Sequence, residues 1–485
     1  MKKPGILLSL VPVVLLMAIL AIGVFIFGDD VASGPSQIAL TTAAVATCII
    51  GTTYLKIPWS KFEEGIGENI KNTSSALYIL LMIGALTSTW MLSGVVPTMI
   101  YYGLEIIHPK VFILVSFLLC TLVSVLAGSS WTTVGTIGVA MFSAGQIIGI
   151  PVGWLSGAII SGAYLGDKVS PLSDTTNLSA SMAGTDLYRH VRYNLGTTVP
   201  AMLICIIVYT VVGFNIPTHS QVDVTSQLNA LNGTFNISPW LLLIPCATIF
   251  MIVKKVPAII TLFLSALVGA LTTFWAQPQI ITQFCDSVSG FHDFCYSVLK
   301  MMSSSITIST GDPLIDSLAS TDGMFGMVNT VWLILCIIIL GGSLCASGMI
   351  DTITEKLMSF IKGRTSLSIT TIVTCFFCNI VLADQYMAIV LPGKMFSDVY
   401  RKMGYAPEFL SRTLQDSATV SSVLVPWNTC ALVQAGVLGV ATFTYLPYSI
   451  FCLITPLISV AIAASGYRIA RLPQDEDGQV ATQTA

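Results

Sequence analysis

Apolar stretches follow one another along nearly the whole chain. They lie at about 6 to 27, 37 to 55, 76 to 100, 111 to 127, 134 to 150, 152 to 166, 197 to 214, 239 to 253, 257 to 275, 327 to 347, 367 to 382, 385 to 399, 417 to 440 and 446 to 464. Crossing the hydrocarbon core of a bilayer takes roughly 20 mostly apolar residues at about 1.5 Å each. The longer stretches therefore predict transmembrane helices, and the shorter ones, tipped with polar residues, predict partial crossings.

The polar connections carry the orientation signal, because Lys and Arg favour the cytoplasmic side. They cluster at Lys2/Lys3, Lys56/Lys61/Lys71, Arg189/Arg192, Lys254/Lys255, Lys356/Lys362/Arg364, Arg401/Lys402/Arg412 and Arg468/Arg471, while the connections around Asp29, 215 to 238 and 276 to 299 have none. One topology, with both termini cytoplasmic, satisfies these positions if 111 to 150 and 367 to 399 each enter and leave on the same side. The turns inside them, Gly128-Ser129-Ser130-Trp131 and Ala383-Asp384-Gln385-Tyr386, carry no Lys or Arg. We read both as re-entrant hairpins; two full spans joined by a short polar turn satisfy the charge pattern equally.

A self-comparison adds a repeat. Pro171 and Pro426 differ by 426 − 171 = 255, and Ser129 and Asp384 by 384 − 129 = 255. The same offset lays the span near 76 on that near 331 and 197 to 214 on 452 to 469. The predicted division is 1–71, N-terminal spans; 72–214, first repeat; 215–326, a linker with two spans and an extracytoplasmic loop; 327–469, second repeat; and 470–485, a polar, disordered cytoplasmic tail. Each repeat crosses an odd number of times and the linker an even number, so the repeats are inverted. The competing explanation is a chance coincidence of one offset. The fold class expected is an all-α polytopic membrane protein with inverted repeats, re-entrant hairpins and broken transmembrane helices, the plan that places transporter sites at the midplane.

Composition agrees. Of 485 residues 54% are hydrophobic and 9% charged, with mean hydropathy +0.84, against about a quarter charged in soluble domains. A net charge of −3 without a basic block gives no reason to expect nucleic acid. Lys2/Lys3 before a long apolar run resemble a secretory signal, but the run is too long and reads as a retained first span. The cysteines sit mostly singly in apolar runs, without metal-ligand Cys/His spacing; Cys285 and Cys295 share one loop, as a disulfide or as free thiols. His108, His190, His219 and His292 fall in connections and read as exposed. The loop 300 to 326, with Thr310-Gly-Asp-Pro and Ser320-Thr-Asp-Gly, reads as a lid or as extracellular packing. Nothing calls for a cofactor, and no nucleotide-binding or hydrolase motif appears.

Candidate chemistry concentrates in Gly166-Asp167-Lys168-Val169-Ser170-Pro171-Leu172-Ser173-Asp174-Thr175-Thr176-Asn177, where a crossing must occur. Pro171 removes a backbone donor and frees a carbonyl, and unwound backbone at membrane depth is tolerated only where it is enclosed by protein or lines a wet cavity. Carbonyls, carboxylates and hydroxyls are hard oxygen donors, suited to a small alkali cation. A charge at the bilayer centre costs about 2.5 to 3.5 kcal/mol on insertion scales. Burial disfavours an ionised carboxylate, so protonation competes with cation binding. The first choice for that buried carboxylate is Asp174, as the Na⁺ ligand together with Ser, Thr, Asn and backbone oxygens. Asp167 is a second ligand, a charge neutralised by Lys168, or a group at an aqueous mouth. Ser170, Ser173, Thr175, Thr176 and Asn177 flank them; Ser129, Ser130, Thr132 and Thr133 approach from the first hairpin; Asp384, Asp416, Asn428 and Thr429 are the second repeat's counterparts. The alternative for the hydroxyls is helix packing.

The stretches GDKVSPLSDTTN, AGTDLYRHVRYNLGTTVP, AGSSWTTVGTIGVA, ADQYMAIVLPGKMF and LSRTLQDSATVSSVLVPWNTC resemble the NhaC-type sodium/proton antiporter family of bacterial inner membranes, over about residues 70 to 465. The resemblance implies a member of the ion transporter superfamily that exports Na⁺ in exchange for H⁺ from the cytoplasmic membrane; similar proteins couple these ions to malate and lactate. Gln415 stands where the resemblance leads one to expect an acid, which leaves Asp416 as the nearby carboxylate.

Two functions follow as expectations: Na⁺/H⁺ antiport, and Na⁺- and H⁺-coupled exchange of small organic acids or amino acids. The second needs positive groups near the site, for which Lys168 and Lys394 are the candidates. A channel would need a continuous selectivity path, and a membrane enzyme a paired nucleophile and base. The expected partners are Na⁺, H⁺, a small carboxylate in the second reading, and the bilayer; a homodimer is left open.

Overall fold

The computed structural model describes residues 4–27, 34–216, 221–285, 290–309, 315–316 and 319–472. Among them eight helices are long and apolar enough to cross a membrane, with two further pairs sharply bent at a break. The described residues are mainly helical, and their strand pairing is limited to two isolated bridges, Ile306 with Thr321 and Tyr405 with Arg471. The connection around Asp29, His219, Thr310-Gly-Asp-Pro and the tail beyond Pro473 lie outside the described residues.

Side-chain periodicity explains how single helices sit. In Leu187–Asn215 the positions Ala201, Cys205, Tyr209 and Gly213 are buried, while Leu203, Ile207 and Val211 are exposed. Spacing of four keeps each set on its own face, so one stripe faces protein and the other has the apolar composition of a lipid-facing surface. Tyr209 fixes the inner stripe: its hydroxyl donates to the Tyr448 carbonyl at 2.9 Å and lies within hydrogen-bond distance of the Ser161 hydroxyl at 2.8 Å.

The two halves match at an offset of 255 over their hairpins and broken helices. Phe112–Ala127 and Ser130–Thr133, continuing to Ile147, form the first hairpin; Arg364–Val381 and Gln385–Lys402 form the second. Val152–Val169, a break, and Asp174–Ala183 correspond to the helix from Pro407 to Ser422, a break, and Thr429–Leu438. Single hydrogen bonds repeat too. Ser124 Oγ donates to the Ala163 carbonyl and Asn379 Nδ2 to the Ala418 carbonyl, at 2.5 and 2.8 Å, with 379 − 124 and 418 − 163 both 255. Ser170 Oγ donates to the Val125 carbonyl, and Trp427 Nε1 to the Ile380 carbonyl, which is 255 residues on from Val125.

The halves interlock. Asp174–Ala183 of the first half packs against Gln385–Lys402 of the second, and Thr429–Leu438 packs against the first hairpin around Ser130–Gly138. The outer helices Trp59–Leu92 and Val328–Ala346 pack on each other, as do Leu187–Asn215 and Ile450–Ser465. Two apolar cores result, one joining the first half to the linker helices and one joining the N-terminal helices to the second half. Val134–Gly138 and Gln415–Thr419 are each a wide π-helical turn.

Several expectations change. The polar connection around 56 to 71 is helical: Trp59–Leu92 runs 34 residues, about 50 Å at 1.5 Å per residue, so its polar start extends past the apolar slab. The apolar run 76 to 100 is split by Gly94 at φ 82°, and the equivalent outer helix of the second half ends before Gly348 at φ 68°. The run 417 to 440 breaks between Ser422 and Thr429. Thr442–Tyr448 then turns off at 89°. The described part of the loop 300 to 326 packs on Trp59–Leu92, where Ser88 Oγ donates to the Met301 carbonyl at 2.6 Å. All twelve cysteines are thiols, so Cys285 and Cys295 form no disulfide. Cys375-Phe-Phe-Cys378, a Cys-x-x-Cys spacing missed in treating the cysteines as isolated, is buried on one helix.

Candidate ion site and its buried charge cluster

Four helices begin at the breaks, and each starts with a polar cap. Ser129 Oγ accepts from Thr132 N at 3.2 Å and Asp384 Oδ1 from Met387 N at 2.9 Å; Ser173 Oγ accepts from Thr176 N at 3.4 Å and Asn428 Oδ1 from Cys430 N at 3.0 Å. A helix start leaves backbone N–H groups without intrahelical partners, and a short oxygen-bearing side chain satisfies one of them. The oxygens of Ser129, Asp384 and Asn428 predicted as ion ligands therefore spend at least one acceptor on holding the tips together.

The tip of the first hairpin depends on backbone handedness. Gly128 has φ 63° and its counterpart Ala383 has φ 51°, both left-handed. A Cβ on Gly128 would meet Leu172 backbone at 2.7 Å. Replacing Gly128 by Val adds this collision to a left-handed penalty of roughly 1–2 kcal/mol. The expected result is loss of the monodisperse peak of detergent-extracted protein in fluorescence-detected size exclusion; a normal peak would show that the tip has slack.

Between the tips lies a cleft of about 840 Å³. Of the predicted ligands it gathers Ser129, Ser130, Thr132, Asp167, Ser173, Asp174, Thr175 and Asn177, joined by Gln385 and Tyr386 from the second hairpin. It extends to Tyr188 and Lys255. Asp167 is buried at the end of Val152–Val169, and its Oδ2 accepts from Ser130 N at 3.2 Å and Ser130 Oγ at 2.8 Å. The first helical turn of one hairpin thus holds a carboxylate from the crossing helix.

Asp174 does not fit the expectation of a buried acid. It is the first residue of Asp174–Ala183 and is exposed to the cleft. The reason is local geometry: Ser173 turns inward as the cap, so the next side chain faces the open cleft. Other predicted ligands are committed elsewhere. Ser170 is bound to the Val125 carbonyl, Thr176 Oγ1 donates to the Asp167 carbonyl at 3.1 Å, Thr133 Oγ1 donates to the Ser129 carbonyl, and Thr429 is buried outside the cleft lining. Asn177 Nδ2 donates to the Pro171 carbonyl at 3.2 Å, occupying an oxygen that the break had freed.

Lys168 is paired with the second half, not with Asp167. Its Nζ lies 2.5 Å from Asp416 Oδ1, both side chains fully buried, and it also donates to Thr197 and Thr198 Oγ1 at 3.0 and 2.9 Å. Arg412, placed by charge pattern in a cytoplasmic connection, is instead buried with its Nε 3.8 Å from Asp416 Oδ2. His190 is also buried, between Ser411 Oγ at 2.8 Å and Asn194 Nδ2 at 3.0 Å. Gln415 accepts from Ser179 Oγ at 2.7 Å and donates to Thr176 Oγ1 at 3.2 Å, so this position bridges the halves as an amide. Lys394 is exposed. The one signal that pointed to these pairings was the presence of Lys168 and Asp416 at membrane depth, where charges require partners.

The sequence profile of the Na⁺/H⁺ antiporter family matches residues 5–193 and 162–467. The chain is 32% identical to the Na⁺/H⁺ antiporter NhaC of Alkalihalophilus pseudofirmus over 97% of this chain and 98% of that protein. It is 34% identical to a malate-2H⁺/Na⁺-lactate antiporter of Bacillus subtilis over 85% and 86%. An arginine/ornithine antiporter of Halobacterium salinarum is 30% identical over 100% of this chain and 97% of that protein. With hairpins, paired breaks and an oxygen-lined cleft in place, these matches establish the chain as a member of the Na⁺/H⁺ antiporter family, of the NhaC type.

Proposed function

We propose that this chain exchanges Na⁺ for H⁺ across the bacterial cytoplasmic membrane by alternating access, with Asp167 as the carboxylate that holds one ion or the other. The observation that carries the reading is the placement of Asp167: buried, oriented by two donors from Ser130, and at the head of a cleft lined by oxygen atoms. One carboxylate cannot serve a proton and a sodium ion together, so loading one releases the other. Asp174 stands in the same cleft and draws cations toward the site. The cleft's mouth lies by Lys255 and Tyr188, next to the basic clusters, which makes the captured state inward-facing if those clusters are cytoplasmic, as both termini then are. The units 72–214 and 327–469 are the halves whose relative movement changes access.

Proteoliposomes holding a pH-sensitive dye test the reading. Added Na⁺ is expected to dissipate an imposed proton gradient, with Li⁺ and K⁺ ranking the cation preference. No response to any cation across the pH range would remove it.

A second reading has its own support. The four capped helix starts direct backbone N–H groups and the positive ends of their dipoles toward the breaks, which favours a carboxylate, and a cleft of about 840 Å³ exceeds what a bare cation fills. Exchange of a small organic acid or amino acid would appear as counterflow of labelled malate, lactate or arginine in the same vesicles.

A further inference from the structure

A second pocket, of about 720 Å³, lies apart from the ion cleft where Leu187–Asn215 meets the chain near Arg412 and Arg468. Its polar side carries Arg189, Arg192, Arg412 and Arg468 against a single acid, Glu408. Glu408 is already engaged at 3.9 Å by Arg189. The remaining wall is apolar: Leu195, Val199 and Ile462 line it, and Leu195 and Val199 are 44% and 41% exposed on the outer face of their helix. Four cations beside an outward-facing apolar wall are the shape of a site for a molecule with an anionic head and a hydrocarbon tail.

Arg412 points to the same occupant independently. It is 1% exposed and lies face-on to Tyr193, 4.5 Å from the ring centre. Yet its Nε and Nη2 have no hydrogen-bond partner among the described residues. The nearest acid, Asp416, has given Oδ1 to Lys168 and stands 3.8 Å from Arg412 through Oδ2. Buried guanidinium N–H groups without acceptors are costly, and phosphate oxygens, like carboxylate oxygens, match their planar fork. The arginines belong to the basic clusters that mark the cytoplasmic face, where the leaflet is rich in anionic lipid and basic pockets between helices take up phospholipid heads.

We infer that this pocket binds an anionic phospholipid of the inner leaflet, its phosphate held by Arg412 with the rim arginines Arg189, Arg192 and Arg468, and an acyl chain laid along Leu195, Val199 and Ile462. Through Arg412 the head group sits one residue away from the Lys168–Asp416 pair that joins the two halves.

The test uses the full chain in detergent micelles with defined lipids. Native mass spectrometry of protein equilibrated with equal amounts of dioleoylphosphatidylglycerol and dioleoylphosphatidylcholine is expected to show preferential retention of the glycerol lipid. The rim variant Arg189→Ala/Arg192→Ala/Arg468→Ala, whose side chains are exposed and whose loss leaves the core intact, should lower the ratio at least roughly tenfold. Arg412→Gln should lower it as well; if that variant fails to fold, the rim variant decides. Equal retention of the two lipids by the parent protein, or an unchanged ratio in the rim variant, overturns the inference. So does stabilisation by millimolar inorganic phosphate that matches the lipid's, because the occupant would then be a soluble anion.

Discussion

Vesicles reconstituted with Asp167→Asn are expected to show no Na⁺-driven proton movement at any pH at which the parent protein is active. The amide keeps the shape and the contact to Ser130 but carries no charge for a cation and no exchangeable acid proton. Ser130→Ala should be milder. It removes the 2.8 Å hydroxyl donor and keeps the backbone donor, and losing a hydrogen bond to a charged group, at about 1.5–3 kcal/mol, weakens ion binding roughly 10- to 100-fold. Competition also fixes the pH dependence. Where the site is protonated, each further unit of acidification should raise the half-saturating Na⁺ about tenfold, with the maximal rate preserved. Asp174→Asn, in the open cleft, should raise the half-saturating Na⁺ and retain turnover. Wild-type exchange by Asp167→Asn together with abolished exchange by Asp174→Asn would reverse the assignment.

Asp416→Asn is expected to lower the thermal midpoint of the detergent-solubilised protein sharply. It leaves both the Lys168 ammonium and the Arg412 guanidinium buried with no carboxylate between them, and breaking a buried ion pair from one side costs about 3–5 kcal/mol. Lys168→Met should cost less, because Asp416 retains Arg412. The double variant Lys168→Met/Asp416→Leu should recover much of the loss, since desolvating a buried pair can cost as much as its attraction returns. A midpoint unchanged in Asp416→Asn would mean that the cluster does not clamp the halves.

The sequence made the frame of this molecule legible because its signals are local. Pro171 and Pro426 announce breaks because each stands in a polar stretch inside an apolar run, and Ser129 and Asp384 mark turns because polar residues gather there between longer apolar runs. Pairing across the halves was not legible. Lys168 and Asp416 are separated by 248 residues, from 416 − 168, and nothing near either one says which acid or base it meets. His190 looks like a loop residue because Arg189 and Arg192 flank it, yet the helix turns it inward between Ser411 and Asn194. The same ambiguity explains why the buried acid is Asp167 and not Asp174. Both lie in one oxygen-rich stretch, and which of them is buried is decided by the Ser173 cap and by where the Ser130 turn arrives, both properties of the folded chain.

The wide turns Val134–Gly138 and Gln415–Thr419 have a consequence for how this chain tolerates change in length. Each holds one residue more than a regular turn needs. Deleting a residue from the second would let the helix close up with full hydrogen bonding and leave what comes before and after it in nearly the same register, whereas a deletion from a regular stretch would swing one part by about 100° relative to the other. Arg412 and Ser411 lie on one side of that point and Asn428 on the other, so the deletion would leave their relative placement nearly unchanged. The wide turns lie at different places in the two halves, at Val134–Gly138 in a hairpin and at Gln415–Thr419 in a crossing. Each half therefore has its own stretch where a single-residue loss is best absorbed, despite their common plan.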